Sequence, residues 1–384
     1  MQPHIRTAQS SALEARDAVR EFHAAVEQLN TALVIFFCSS EYDLDAIADE
    51  MQRLFAGVQV VGCTTAGEIG PAGYMDHSLT GASFPGADFQ AVSGMIDDLQ
   101  QFDSAKGEAA AANLLGRLEG IEPKTSATNS FALLLIDGLS IREEPVTHVL
   151  QNVLGNLPLV GGSAGDGLAF GSTRVYLDGR FHSDSAVLTL VTTPLPFKVF
   201  KTQHFVAQDE RMVVTEADAA RRIVKEINGL PAAEEYARVL RLNAEDLDPG
   251  RFAASPVVVM IDGTSYVRSI KNANPDGSLT FFCAIENGLV LRVAKGVDLL
   301  ENLAKMLNGI REDIGPPQLV LGCDCILRKL EIFQSPQREN IAEAFQRNNT
   351  IGFSTYGEQF NGVHVNQTLV GIAIGSDPTT AANA

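Results

Sequence analysis

The sequence predicts an α/β protein whose mixed parallel/antiparallel sheets are built from internally repeated β-α-β-turn-β-β units. Two observations carry this. First, one short turn is written three times: residues 62–68 read Gly-Cys-Thr-Thr-Ala-Gly-Glu, residues 161–167 read Gly-Gly-Ser-Ala-Gly-Asp-Gly, and residues 352–358 read Gly-Phe-Ser-Thr-Tyr-Gly-Glu. The first and third copies match position for position; in the second, Gly165 arrives one residue early. Second, each turn follows two apolar runs with an amphipathic stretch between them. Gly161 lies 99 positions beyond Gly62, and Asp137 lies 99 beyond Cys38. An offset kept across a strand, a helix and a second strand indicates a duplication, with a more distant third copy in the C-terminal half.

The elements follow in order. Ser11 and Glu14 have capping-box spacing and open a helix to about Asn30, with Leu13, Val19, Phe22, Val26 and Leu29 as its apolar stripe. Residues 33–38 form a continuous apolar run, the pattern of a strand buried on both faces. Asp43 caps the next helix, which carries Leu44, Ile47, Met51 and Leu54 on one side, and 58–61 returns as a parallel strand. Residues 78–84 and 89–95 read as two antiparallel strands, followed by a helix near 106–118.

The second β-α-β unit begins at Phe131, and 174–177 with 185–191 reads as its antiparallel pair around Asp178-Gly179. A strand over 197–206 and a helix over 217–226 come next, then a helix from Pro231 to about Leu240. Residues 256–293 are strand-rich, with turns at Asp262-Gly263, Asp276-Gly277 and Asn287-Gly288. A helix over 297–307 leads to the third unit, whose first strand is 318–325. Residues 367–374 close the sheet, and 375–384 are expected to fray.

Composition narrows the function. The 384-residue chain suggests two or three domains, and its net charge of −18 argues against nucleic acid and against anionic membrane surfaces. No apolar run is long enough for a transmembrane helix, and residues 1–10 lack the apolar core of a signal peptide. Five cysteines without extracellular signals read as reduced thiols, so a soluble, cytoplasmic protein is expected. The chain has no His-Glu-x-x-His and no Walker lysine after a glycine turn. No nucleophile–base–acid set emerges, so catalysis is not expected.

The turns are the candidate ligand site, because open α/β sheets bind ligands at the carboxyl ends of their strands. Thr64, Thr65, Ser163 and Thr355 offer hydroxyls, and Glu68, Asp166 and Glu358 stand where a phosphate cradle would want a lysine. An amine, amide or hydroxyl ligand therefore suits them better than a phosphate. The same residues would equally serve to hydrogen-bond the backbone of buried turns.

Tyr356, Glu358, Gln359 and His364 concentrate polar groups after the third turn. Asp137 takes the place of Cys38 at a strand end, and Arg268 is a secondary candidate. Cys323 and Cys325 share a strand face but lack the partners of a structural zinc; Arg328 either pairs with Asp324 or faces a ligand. His204 and His364 sit in apolar, strand-like settings from which an imidazole could reach haem iron.

The strings Phe-Phe-Cys-Ser-Ser-Glu-Tyr-Asp-Leu at 36–44, Gly-Cys-Thr-Thr-Ala-Gly-Glu-Ile at 62–69, Gly-Gly-Ser-Ala-Gly-Asp-Gly-Leu at 161–168, Gly-Cys-Asp-Cys-Ile-Leu-Arg at 322–328 and Gly-Phe-Ser-Thr-Tyr-Gly-Glu-Gln at 352–359 resemble the FIST domain family. The resemblance runs from about Thr31 to Gly375. It implies a bacterial sensory domain that binds a small molecule such as an amino acid. It also implies a FIST N-terminal domain over 1–215, holding two repeats, and a FIST C-terminal domain over 216–384, holding the third repeat and the inserted strands.

The chain further resembles the stand-alone NosP-type nitric-oxide sensors. That resemblance implies haem b bound through a histidine, here His204 or His364, with Arg268 or Arg328 for the propionates. The implied partner is a sensor histidine kinase or cyclic-di-GMP enzyme. The alternative is a sensor of a small polar metabolite without haem.

Overall fold

The computed structural model describes residues 4–261 and 263–376. Asp262 of the Asp262-Gly263 turn, and the tail expected to fray from 377 on, lie outside the described residues. Two compact units emerge. Unit 1 holds residues up to 201, 303–364 and 369 onward; unit 2 holds 202–302 and 365–368.

Unit 1 contains three copies of one arrangement: strand, helix, strand, helical crossover, parallel strand, hairpin, strand. In the first copy these are β1 (Arg6–Ser10), α1 (Ala15–Val26), β2 (Thr31–Ser39), α2 (Leu44–Leu54), β3 (Gln59–Thr65), the hairpin β4 (Glu68–Gly70) and β5 (Gly73–Met75), and β6 (Leu79–Pro85). The second runs β7 (Gln90–Ile96), α3 (Ser104–Ile121), β8 (Ser130–Ile136), α4 (Glu143–Leu154), β9 (Leu159–Ser163), the hairpin β10 (Val175–Leu177) and β11 (Arg180–His182), and β12 (Ala186–Thr192). The third begins with β13 (Phe197–Thr202).

The insertion follows: β14 (Phe205–Asp218), β15 (Ile223–Ile227), β16 (Leu230–Pro231), α5 (Ala232–Leu240), α6 (Pro249–Ala254), β17 (Val257–Ile261), β18 (Thr264–Arg268), β19 (Ile270–Ala273), β20 (Leu279–Phe281) and β21 (Val290–Gly296). The third copy resumes with α7 (Leu299–Ile314), β22 (Leu319–Cys325), α8 (Ile326–Gln334), α9 (Arg338–Gln346), β23 (Thr350–Thr355), the hairpin β24 (Glu358–Phe360) and β25 (Val363–Val365), and β26 (Leu369–Ile374).

Each copy completes its sheet with a hairpin from another copy. The sheets run β1-β6-β2-β3-β10-β11, β7-β12-β8-β9-β24-β25 and β13-β26-β22-β23-β4-β5. The first hairpin thus joins the third sheet, the third joins the second, and the second joins the first. The middle pairs are parallel, with Phe36 opposite Gly62, Leu134 opposite Gly161 and Gly322 opposite Gly352. Gly62, Gly161 and Gly352 are needed for close approach: a Cβ on any of these three would collide with the carbonyl oxygen of its opposite residue.

Helices cover one face of each sheet. In the first, Val19, Phe22 and Val26 of α1 and Ile47 and Met51 of α2 pack on Val34, Phe36 and Cys38. The other face of β2 is buried too, where Phe37 stacks on Phe353 with ring centroids 4.4 Å apart. Burial on both faces is why the strand reads as an unbroken apolar run. Asp43 caps α2 by accepting the Ala46 N–H at 3.1 Å, as its position predicts.

Unit 2 is dominated by an eight-stranded sheet, in the order β18-β17-β21-β14-β15-β20-β19 with β16 on β15. Its core gathers Met212, Val214, Val257, Val259, Leu291 and Val293 of the sheet against Tyr236 of α5 and Phe252 of α6.

Several expectations are corrected. The Ser11/Glu14 capping box does not form: Glu14 is itself the N-cap, without a side-chain bond, and Ser10 takes the Ala12 N–H. Leu13 and Leu29 are exposed, because α1 spans only Ala15–Val26. Strands β6 and β7 belong to different sheets, and the partner of β10 across Asp178-Gly179 is β11; β12 pairs with β8 and β7.

Residues 217–226 form no α-helix: β14 and β15 pair there, and Asn228 and Gly229, both at positive φ, turn the chain into β16. β-Branched Ile223 and Val224 suit that pairing. The strand expected over 197–206 breaks at Gln203 and His204, and the third crossover holds two helices where one is expected. The strand ladders place Cys38 level with Ile136 and Asp324, so Asp137 is the counterpart of Ser39, one position on from the expected match. The division expected at 215/216 lies within β14.

Candidate functional site

The three turns meet inside unit 1. Gly165 N–H donates to Thr64 O at 3.0 Å and Gly167 N–H to Thr65 O at 3.2 Å, joining the second turn to the first. Ala66 N–H donates to Ser354 O at 2.9 Å and Ser354 N–H to Gly67 O at 2.7 Å, joining first to third. Ser163 N–H to Gly357 O at 2.8 Å and Tyr356 N–H to Ser163 O at 3.2 Å close the ring. A Cβ on Gly165 would stand 2.8 Å from Ala66 N, which gives the early glycine of the second copy a packing reason.

A pocket of about 640 Å³ opens beside this ring, at the carboxyl ends of β2 and β3. The first turn (65–68), the second (166–169 with Ser172), Ser39–Glu41 at the end of β2, and α8 supply its walls; the third turn does not reach it. Its size is that of a small-molecule site. Leu44, Leu168, Ile326, Leu330 and Phe333 give it an apolar body, and Glu41, Asp76 and Asp166 give it carboxylates.

Lys329 is its one lysine, and that ammonium is engaged. It donates to Ala66 O at 2.8 Å, pairs with Asp76, and sits 5.3 Å over the Phe333 ring. It passes over Gly67, at φ +124°, where any Cβ would collide with Nζ. The backbone donors of the turns are also used: Ala66, Gly167 and Ala169 bond to carbonyls, Gly67 to Thr65 Oγ1 and Asp166 to the Tyr356 hydroxyl. A phosphate or carboxylate would find few free donors here.

Three sequence-predicted residues line the pocket: Thr65, Glu68 and Asp166. Thr65 Oγ1 donates to Glu68, which also accepts Ser78 N–H at 3.0 Å and Ser78 Oγ at 2.7 Å. Burial pushes the Glu68 carboxyl up to about 7 against these donors. Asp166 accepts from the Tyr356 hydroxyl and from Gly171 and Ser172 N–H at 2.8 and 2.7 Å. Burial, then the adjacent Asp166, raises the Tyr356 phenol above its ordinary range. Phe170 stacks on Tyr356 with ring centroids 4.5 Å apart, and Ala66, Ile326 and Tyr356 form a small apolar cluster with Leu139, Phe170, Leu327 and Leu330.

The other predicted residues have posts elsewhere. Thr64 Oγ1 accepts the Arg174 N–H at 3.0 Å beside β10. Asp137 is held by Thr173 and by Leu139 N–H at 3.0 Å. Thr355 and Glu358 repeat the Thr65–Glu68 bond in the third copy. Ser163 Oγ accepts from Gln359 Nε2 at 2.9 Å, and that amide lies 3.3 Å from His364 Nδ1. Arg328 does not face the pocket: it is fully buried against Asp324 at 2.6 Å, and Tyr74 donates to the same carboxylate. Arg268, at the end of β18, and His204, beside Phe205 at 4.2 Å, are buried in unit 2.

The residues named for haem do not fit it. A porphyrin needs an axial imidazole facing a slot of its own size, with basic groups at the edge. His364 and His204 are each 1% exposed, and His364 does not line the pocket. The histidine that does is His77, whose Nδ1 lies 3.1 Å from Glu41 on an acidic rim. Among the described residues no group of His, Cys, Asp or Glu could hold a metal ion, and the five cysteines are buried and form no disulfide. Ser39, Ser40, Glu41, Asp76, His77 and Lys329 were missed by sequence reasoning. The one available signal was the polar run 39–43 directly after a buried strand.

The FIST N domain model matches residues 32–230 and the FIST C domain model matches 232–361. Both describe sensory domains of signal transduction that bind small ligands. The chain belongs to the FIST family.

No curated protein sequence matches it. Among solved structures, a cyanuric acid hydrolase described as an evolutionary innovation by structural concatenation aligns over 98% of this chain and 100% of its own, at 10% identity and TM-score 0.34. Among the described residues no helix is long and apolar enough to cross a membrane.

Proposed function

We propose that this protein senses a small molecule combining an apolar body with an amine or hydroxyl group, held in the pocket between the first two turns and α8. It is a binding protein without catalytic activity. The occupied state is read by a partner protein, of the histidine-kinase or cyclic-di-GMP class that the family resemblance implies. One observation carries the reading: the pocket joins an apolar wall of Leu44, Ile326, Leu330 and Phe333 to the carboxylates of Glu41, Asp76 and Asp166, while its lysine and turn N–H groups are already engaged.

A thermal-shift screen of amines, amino acids and small alcohols tests it. A ligand at about 100 times its Kd stabilises the folded state by about 2.7 kcal/mol. The shift should vanish in Ala169→Trp, which fills the pocket. An as-purified protein with a Soret band that moves on adding nitric oxide, and that is lost in His204→Ala or His364→Ala, would overturn the reading in favour of haem.

A further inference from the structure

Glu68 is the most deeply buried carboxylate around the pocket. It is fully buried, and its three donors are a threonine hydroxyl, a serine hydroxyl and a backbone N–H. Among the described residues it forms no ion pair. The titratable groups around it are Cys38 of β2, Tyr42 before α2, Cys63 of β3 and Lys329 of α8, with Asp76 and His77 on the pocket side. Lys329, the nearest cation among them, is committed to Asp76 and Ala66 O. The pocket wall therefore holds a buried carboxyl that no cation contacts, next to a space whose rim favours donors.

We infer that the ligand binds as a cation and that its arrival expels the proton of Glu68 to solvent. The inference rests on the pocket reading above and adds the ligand's charge and a proton linkage. The exchange balances: the carboxyl O–H breaks, the proton leaves to buffer, and the ligand's charge takes its place opposite the carboxylate. Burial holds Glu68 near the midpoint of its titration at neutral pH. A positive charge about 6 Å away, at an effective dielectric near 20, strengthens its acidity roughly a hundredfold. A neutral ligand would leave the proton in place, and an anion would draw another in.

Isoamylamine, isoamyl alcohol and isovalerate share an apolar body and differ in charge, so they serve as probes. Calorimetry of the full chain at pH 7, in phosphate and in Tris, reads the protons exchanged. The amine should release about half a proton per site and bind about twentyfold more tightly at pH 8 than at pH 5.5. Glu68→Gln mimics the protonated carboxyl, so it should bind the amine roughly a hundredfold more weakly than the wild type at pH 8, with neither proton release nor pH dependence. Ser78→Ala removes one donor and should move the pH dependence upward, which keeps the test open if Glu68→Gln does not fold.

Amine binding without proton release overturns the linkage and leaves the pocket reading intact. Preferential binding of isovalerate, tighter at low pH, overturns the cation. Binding of none of the three, with no thermal shift, overturns the pocket reading itself.

Discussion

Glu50 and Glu68 are both buried glutamates of the first repeat, and they sit in opposite surroundings. Glu50, on α2, receives Arg53 Nη2 at 2.6 Å and Nε at 3.0 Å, Arg20 Nε at 2.8 Å and Arg16 Nη1 at 3.5 Å. Hydrogen bonds from Arg53, then Arg20, hold its carboxyl down to about 2. Glu68, after the first turn, meets only hydroxyls and one N–H and is raised to about 7. Burial is common to both; the supply of cations separates them. Helical spacing delivers Arg53 three residues along α2, and α1 brings Arg16 and Arg20 across. A glycine turn followed by a hairpin has no such periodic supply. The arginine-held glutamate ties two helices together, and the unpaired one stands beside the pocket.

The largest expected effect extends the comparison to Asp324, which has an arginine and no solvent. Arg328→Met strands a buried carboxylate and should cost about 3–5 kcal/mol in urea unfolding. A loss under about 1 kcal/mol would show that the Tyr74 bond alone suffices there. Next comes Glu68. Its folded-state affinity for the proton is raised, so its contribution is complete below about pH 4.5. It falls by about 3 kcal/mol as pH rises to about 7 and is flat above. Unfolding curves across this window should show that decline, and Glu68→Gln should remove it; an unchanged slope in the variant would assign the titration elsewhere.

The smallest effect is at Glu50, with the sign reversed. Its contribution is present above about pH 4.5 and is lost as pH falls through about 2. Because its arginines are about half exposed, Glu50→Gln should cost only about 1–2 kcal/mol, and less in 1 M salt. A salt-independent loss would mean packing, not charge, holds α1 to α2.

Much of this fold is legible in the sequence because its repeated parts are local. The apolar run before Cys38, the Asp43 cap and the Gly62, Gly161 and Gly352 positions each reflect neighbours within one β-α-β unit. The rest depends on partners far along the chain. Three-residue strands such as Glu68–Gly70 carry too little pattern to announce that they pair with β23. Ala217 to Glu226 alternates weakly enough to imitate a helix, and only pairing across the sheet settles it as strand.

The site divides the same way. Thr65, Glu68 and Asp166 are visible because they stand in the repeated turn. Lys329 is not, because nothing near it in sequence reveals that Ala66 and Asp76 receive it. Arg328 draws attention through its cysteine-rich neighbours, although it is the adjacent lysine that reaches the pocket.

The circular exchange of hairpins also sets a schedule on the ribosome. Ile69 must wait for Gly352, and Gly162 for Glu358, before their sheets can close. Translation at about 5–20 residues per second leaves the first hairpin without its strand on the order of tens of seconds. Throughout that interval the nascent chain carries open sheet edges, a template for mispairing between neighbouring chains on a polysome. A protein closed in this way commits to its native state late, when its last repeat emerges.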